Sequence, residues 1–400
     1  MWEQIRSNQI RSVVLTIGMG ALLILIGYFL GLYFFDSAIA GLFIATLVWA
    51  ILSLVGYFQG DSILLSMSRA KKIKRDDHPR LYNVVEEMKI ASGLEKMPDI
   101  YIIDDPALNA FATGRDPNKA SVAITSGLLQ KLNRDELQGV IAHEISHVKN
   151  RDVLLMSMCS ILLGTIVILA WYGSRLALFG AMTGGRRSSS RGGGQGNMII
   201  LVVSLVFMIL APIMAQLIYF AISRKREYLA DASAALYTRY PEGLASALEK
   251  LGSSTGQLKS ANQATAPMYI VNPFRKKGMK ASDLSSTHPP ISERIRILRA
   301  MAGASFNDYD QAYRQVHRGG RGVIPAAGIA AGAVPLSTIK PEGEAREPNE
   351  IQRARETSDV MWRLSNYTTI TCDCGAKLRV PPNFKEPQIQ CPHCGRTHQV

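Results

Sequence analysis

Among the 400 residues, His143-Glu144-Ile145-Ser146-His147 is the stretch whose residue types and spacing can do chemistry. Asn133 opens a helix with Glu136 three positions on, a capping-box pair. Leu137, Ile141, Ile145 and Val148 then recur at helical spacing and supply its buried face. On such a helix residues i and i+4 lie ~40° apart, so both imidazoles point one way and can share one Zn²⁺. Glu144 is offset from the pair and can take a proton from a water that zinc has made acidic, during attack on a carbonyl. The competing reading is two solvated histidines on a surface helix.

A catalytic zinc needs a third protein ligand and an open fourth position. Glu227, in Glu227-Tyr228-Leu229-Ala230-Asp231, is the best candidate. It follows the fourth apolar stretch of the chain just as the histidine pair precedes the third, so a long hairpin would bring the two together. Asp231, one helical turn on, is placed to accept a hydrogen bond from a ligand imidazole and set its tautomer. Taken alone, Glu227 would read as an ion-pair partner of Arg224 or Lys225 on a solvated face. His78 and His317 lack comparable context and read as surface residues.

A second metal site is written at the end of the chain. Four of the five cysteines, Cys372, Cys374, Cys391 and Cys394, fall in the last 29 residues. Each pair is tight and followed by glycine, and a strand-like run, Lys377–Val380, lies between the pairs. This fits a zinc ribbon with a closed, structural Zn²⁺ in a reducing compartment. The first pair is C-x-C where C-x-x-C is commoner. Cys159, inside an apolar stretch, reads as a packing residue. Four Lys/Arg against two acids in 370–400, with four thiolates and Zn²⁺, sum to about zero. Phosphate neutralisation needs a positive excess, so a protein partner is favoured over nucleic acid.

These sites must be positioned by an unusual chain. Charged residues make up 19% of it and hydrophobic residues 47%. Four stretches carry no charge at all: Ser12–Phe35, Ser37–Gly60, Val153–Ser174 and Met198–Ile222, of 24, 24, 22 and 25 residues. Each is long enough to cross ~30 Å of hydrocarbon as a helix. Outside them the charged fraction returns to an ordinary value, about a quarter. A purely cytosolic enzyme, a disordered chain and a small disulfide scaffold are thereby excluded. The first stretch exceeds a signal-peptide core and leads directly into the second, which argues for an anchoring hairpin.

Arg6 and Arg11 precede this hairpin, and Arg69, Lys71, Lys72, Lys74 and Arg75 follow it, so the positive-inside rule places both ends in the cytoplasm. The loop after the third stretch carries Arg175, Arg186, Arg187 and Arg191, which leaves open whether stretches three and four fully span. Between the hairpins, Asp99–Ile103 and Ala120–Thr125 read as strands. Residues 224–321 read as mostly helical, and 319–358 as a linker. The net charge of +13 sits mainly in the second loop, at +4, and in 224–321, at +8. That distribution suits a membrane surface or a substrate path beside the zinc site.

At this point the residues resemble a family, the HtpX-like integral membrane zinc metalloproteases. The likeness covers about residues 1–300. It rests on HEISHVKNRD at 143–152, EYLAD at 227–231, NAFATG at 109–114, Thr287-His288-Pro289-Pro290 with Arg294, and the placing of the apolar pairs. It implies Glu144 as general base and His143, His147 and Glu227 as zinc ligands. It also implies an edge strand over Asn109, Ala110, Phe111, Ala112 and Thr113 that pairs with the extended substrate. His288 is a candidate for stabilising the oxyanion, with Arg294 orienting it or the substrate.

The expectation is a mainly α chain. An N-terminal transmembrane hairpin (1–60) leads to an α+β zincin-type metalloprotease domain (61–318), interrupted by a second apolar hairpin (153–222). A linker (319–358) and a zinc ribbon (359–400) complete this multi-span membrane protein. It would be an endopeptidase with a cytosolic active site in the inner or plasma membrane, using one catalytic and one structural Zn²⁺. Misfolded or membrane proteins are the substrates the resemblance implies, in quality control. The alternatives are a peptide- or prenyl-protein-processing metalloprotease and a non-enzymatic zinc-containing scaffold; a nucleic-acid tether is disfavoured by charge.

Overall fold

The computed structural model describes residues 2–158, 224–254, 289–319 and 347–400, with short pieces at 256, 258–259, 268–271, 322–324, 329 and 335–337. The fourth apolar stretch, the third beyond Met158, Cys159 and His288 lie outside the described residues.

The chain opens with an antiparallel helical hairpin, α1 (Trp2–Phe35) and α2 (Ala38–Met67), closed at Ser37, whose hydroxyl accepts the Ala40 N–H. Small residues let the two backbones touch. A Cβ on Gly41 would lie 2.0 Å from the Gly27 carbonyl oxygen and 2.5 Å from the Gly31 Cα, so only glycine fits there. Farther along, Trp49 Nε1 donates to the Thr16 carbonyl at 3.0 Å. By length and composition α2 can cross a membrane: its apolar window has a mean hydropathy of 2.5 and is 6% buried. Its last turns behave differently. Leu64 and Leu65 are buried against Ile103, Phe111 and Ala123, so one helix runs from an exposed apolar surface into the core of the domain.

That domain is built on a four-stranded mixed sheet in the order β1-β2-β4-β3: β1 (Ala70–Lys72), β2 (Asp99–Ile103), β3 (Ala110–Asp116) and β4 (Lys119–Thr125). The expected strand Asp99–Ile103 has the observed bounds, and the expected Ala120–Thr125 gains one residue. β1, too short and too charged to announce itself, pairs antiparallel with β2. β3 pairs antiparallel with β4 in the register Ala110↔Ile124 and Ala112↔Val122, and forms one edge of the sheet.

The period-2 alternation sends Ile100, Ile102, Val122, Ile124, Ala110 and Ala112 to one face. There they pack with α3 (Pro79–Ser92) and α5 (Arg134–Lys149); Ile103, Phe111 and Ala123 go to the face that meets α2. α4 (Ser126–Lys131) links the sheet to α5. Asn133 caps α5 with the reciprocal Glu136 bond of a capping box, and Leu137, Ile141, Ile145 and Val148 are all buried. α6 (Arg224–Thr238) and α7 (Pro241–Ser253) pack on α5, and α8 (Ile291–Arg299) packs on α7.

Beyond α9 (Phe306–Val316), α10 (Glu350–Leu364) docks on α4. Arg353 Nε donates to the Gln130 carbonyl at 3.1 Å, and Thr357, Val360 and Met361 are buried. The expected boundary at 358 therefore falls inside a helix. Two hairpins, β5 (Thr368–Thr371) with β6 (Lys377–Val380) and β7 (Gln388–Gln390) with β8 (Thr397–Gln399), close the chain. His78, expected at the surface, is 3% exposed, because its Nδ1 accepts the Leu81 N–H and caps α3. His317 is partly buried, with Nε2 2.9 Å from Glu293.

Candidate metal centre and its surroundings

α5 turns His143 and His147 to the same side, and α6, packed against it, sets Glu227 opposite them. The two Nε2 atoms are 3.3 Å apart, and the Glu227 oxygens lie 3.6 Å from His143 Nε2 and 3.7 Å from His147 Nε2. All three side chains are buried. A tetrahedral zinc with bonds of ~2.0–2.1 Å separates its ligand atoms by ~3.3–3.4 Å, so the donors are spaced for one such ion.

Each imidazole has its other nitrogen on a carboxylate. His143 Nδ1 is 3.0 Å from Asp231 Oδ1, and His147 Nδ1 is 3.0 Å from Asp152 Oδ2. With Nδ1–H donating to a carboxylate, the Nε2 lone pairs face the shared point. Burial opposes charge on His143, yet the carboxylates of Asp231 and Glu227 outweigh it and raise the group to about 9. Loading a metal there displaces a proton.

Asp231 is in turn gripped by Arg294 of α8, whose Nε and Nη2 donate to its two oxygens at 2.8 and 2.6 Å. Burial alone would push the Asp231 carboxyl up; the guanidinium and the His143 hydrogen bond hold it below its usual range. Arg294 is 0% exposed, and its Nη1 lies 4.0 Å from Glu227. The structure thus places Arg294 behind the histidines, against Asp231. Asp152 has a comparable neighbour: Arg226 Nε is 3.9 Å from its Oδ1. Sequence reasoning assigned no role to Asp152 or Arg226. The only signal was that Asp152 closes the HEISHVKNRD run.

Glu144 is 2% exposed, on the helix that packs against the edge strand. Burial raises its pKa, against the pull of His143 and His147. A carboxyl poised in this way can accept a proton and return it. Of the five residues expected along the edge, Ala110 to Thr113 lie in β3 and Asn109 directly precedes it. His288 lies outside the described residues.

At the C-terminus the four cysteines converge from two turns. Cys372 and Cys394 Sγ are 3.4 Å apart, and Cys374 and Cys391 Sγ are 3.7 Å apart. These are thiol separations, far from a ~2.05 Å disulfide and near the ~3.75 Å of a tetrahedral S₄ site with ~2.3 Å bonds. Gly375 and Gly395 take φ of 84° and 75° and close the turns by donating to the Cys372 and Cys391 carbonyls at 2.8 Å. The Cys394 and His393 backbone N–H groups pull the Cys391 thiol downward.

The family model described as Peptidase family M48 matches residues 75–302. A "Protease HtpX homolog" of Dictyoglomus turgidum is 46% identical over 303 residues, covering 75% of this chain and 94% of the relative. Another, from Thermoanaerobacter pseudethanolicus, is 40% identical over 301 residues, covering 75% of this chain and 98% of that one. The crystal structure of S. mikatae Ste24p aligns at 20% identity with a TM-score of 0.40, over 74% of this chain and 67% of that one.

Proposed function

Since the chain belongs to peptidase family M48 and is a metalloprotease, we propose that it is a membrane-anchored zinc endopeptidase in which Glu144 is the proton carrier. The observation that carries this is the meeting of His143, His147 and Glu227 at one buried point, with Glu144 between that point and the sheet edge. Zinc, held by the two Nε2 atoms and the Glu227 carboxylate, would supply Lewis acidity to the scissile carbonyl and acidify water. Glu144 then takes the proton of the attacking water and passes it to the leaving amine. Asp231 and Asp152 keep the imidazoles in the donor-ready tautomer, and Arg294 keeps Asp231 ionised. An intact base beside the ligands favours this over a structural zinc scaffold, which has no use for one.

The hairpin α1–α2 and the two further apolar stretches are read as a multi-pass anchor, with the catalytic domain cytosolic by the positive-inside rule. Misfolded or damaged membrane proteins are the proposed substrates, and the four cysteines a structural zinc site that faces a protein partner. The test is direct. In detergent, zinc-reconstituted wild type should cleave an unfolded protein, and Glu144→Gln should lose about 10²–10⁴-fold in rate while binding zinc as before. Equal cleavage by the two proteins would remove Glu144 from the mechanism.

A further inference from the structure

The edge strand expected to receive substrate is already partly occupied by this chain. In β3 successive residues turn their backbone groups to opposite sides. The Asn109 carbonyl accepts the Thr125 N–H at 3.0 Å, so Asn109 faces β4. Ala110, Ala112 and Gly114 therefore face the open side. There the Ala110 carbonyl accepts the Ile270 N–H at 3.1 Å, and the Ala110 N–H is taken by the Asn109 side-chain oxygen at 3.1 Å. The Asn109 carboxamide acts as an extra peptide unit: its Nδ2 donates to the Val271 carbonyl at 2.9 Å and its Oδ1 accepts the Val271 N–H at 3.4 Å. Two residues along from Ala110, β3 runs against α5, the helix that carries Glu144.

This pairing is anchored from below. Tyr269 is fully buried, its ring set edge-on to Phe111 at 5.2 Å and its hydroxyl 3.3 Å from Ser68 Oγ at the end of α2. Met268 is buried in the same cluster, with Leu64 and Leu65. Lifting the segment off the edge would return both side chains to water and leave the Ala110 carbonyl without its donor.

We infer that the segment Met268–Val271 is a permanent occupant of the substrate edge, so that a substrate backbone pairs only from Ala112 towards Gly114. The inference rests on the protease reading and deepens it. Main-chain recognition then lies on one side of the scissile bond and spans about two pairing positions. Asn109 and Ala110, expected to bind substrate, hold the enzyme's own chain instead.

Backbone hydrogen exchange on the full-length Glu144→Gln protein in detergent tests this without turnover, with and without a saturating unfolded peptide. The expected result is at least tenfold slower exchange at Gly114 with peptide bound, and less than twofold change at Ile270 and Val271. Faster exchange at Ile270 with peptide bound, or no change at Gly114, would overturn the inference. A second measurement uses the active enzyme and a peptide N-methylated at one backbone amide at a time. Losses in kcat/KM of tenfold or more should fall on one side of the cleaved bond. In Ile270→Pro, which removes the donor to Ala110, or in Tyr269→Ala if the first does not fold, a new loss should appear on the other side. An unchanged profile in the variant, or losses on both sides in wild type, would overturn it. Absence of any cleavage by wild type would instead sink the protease reading.

Discussion

The histidines of this protein differ because their surroundings do. At the metal centre each imidazole has a carboxylate on Nδ1, and Asp152 does for His147 what Asp231 does for His143. Losing such a partner typically costs 10–100-fold in metal affinity. Asp152→Ala should therefore weaken zinc binding by that factor in a chelator competition, with Asp152→Asn falling between it and wild type. His78 is the opposite case. Burial, aided by Arg80, lowers it to about 4 from an ordinary 6.5. Between those values the unfolded chain binds a proton that the folded one refuses, so stability falls as pH drops from about 6.5 to 4 and is flat below. The full effect is of order 3 kcal/mol. His78→Asn, which keeps a cap acceptor for the Leu81 N–H, should flatten the pH dependence of chemical unfolding over that window.

At the scale of elements, much was legible because the signals are local. The capping box at Asn133, the helical period through Val148 and the strand at Asp99–Ile103 each depend on neighbours within a few residues, and all three appear as read. The segment 268–271 that bonds to the sheet edge was not legible. It sits inside a span that reads as helical, and its pairing with Ala110 closes a gap of 160 residues. The hairpin offers a prediction of its own. A side chain at Gly41 would collide with the backbone of Gly27 and Gly31, whereas one at Gly18 would meet nothing within 4 Å. Gly41→Leu should lower the thermal midpoint in detergent by several degrees and reduce the folded yield, while Gly18→Ala should leave both unchanged.

Over the whole molecule, the C-terminal region is fastened to the catalytic domain through α10, not hung from a linker. Lys71 Nζ donates to the Leu364 carbonyl at 3.2 Å, Arg363 to the Asp77 carbonyl at 2.7 Å, and Lys377 pairs with Asp359. The cysteine turns beyond it have only a small buried cluster, Cys372, Leu378 and Cys391, too little apolar area to fold alone. If they hold zinc, a strong chelator should release hydrogen-exchange protection in β5–β8 while α10 stays protected, and Cys372→Ser with Cys391→Ser should do the same without chelator. Equal protection of β5–β8 before and after metal removal would argue against a structural zinc there.

The amino-acid sequence by itself determined what depends on short range. It set the two histidines one helical turn apart with a carboxylate between them, the four apolar stretches, and the paired cysteines, because helical period, hydrocarbon thickness and turn geometry act within some twenty residues. Tertiary structure decided the rest. It brought Asp152 and Asp231 to the two imidazoles, buried Arg294 against Asp231, and bonded the Ile270 N–H to the Ala110 carbonyl. Those contacts join residues 5 to 160 positions apart across packed elements, and only the filling of one shared core determines which buried polar group must meet which.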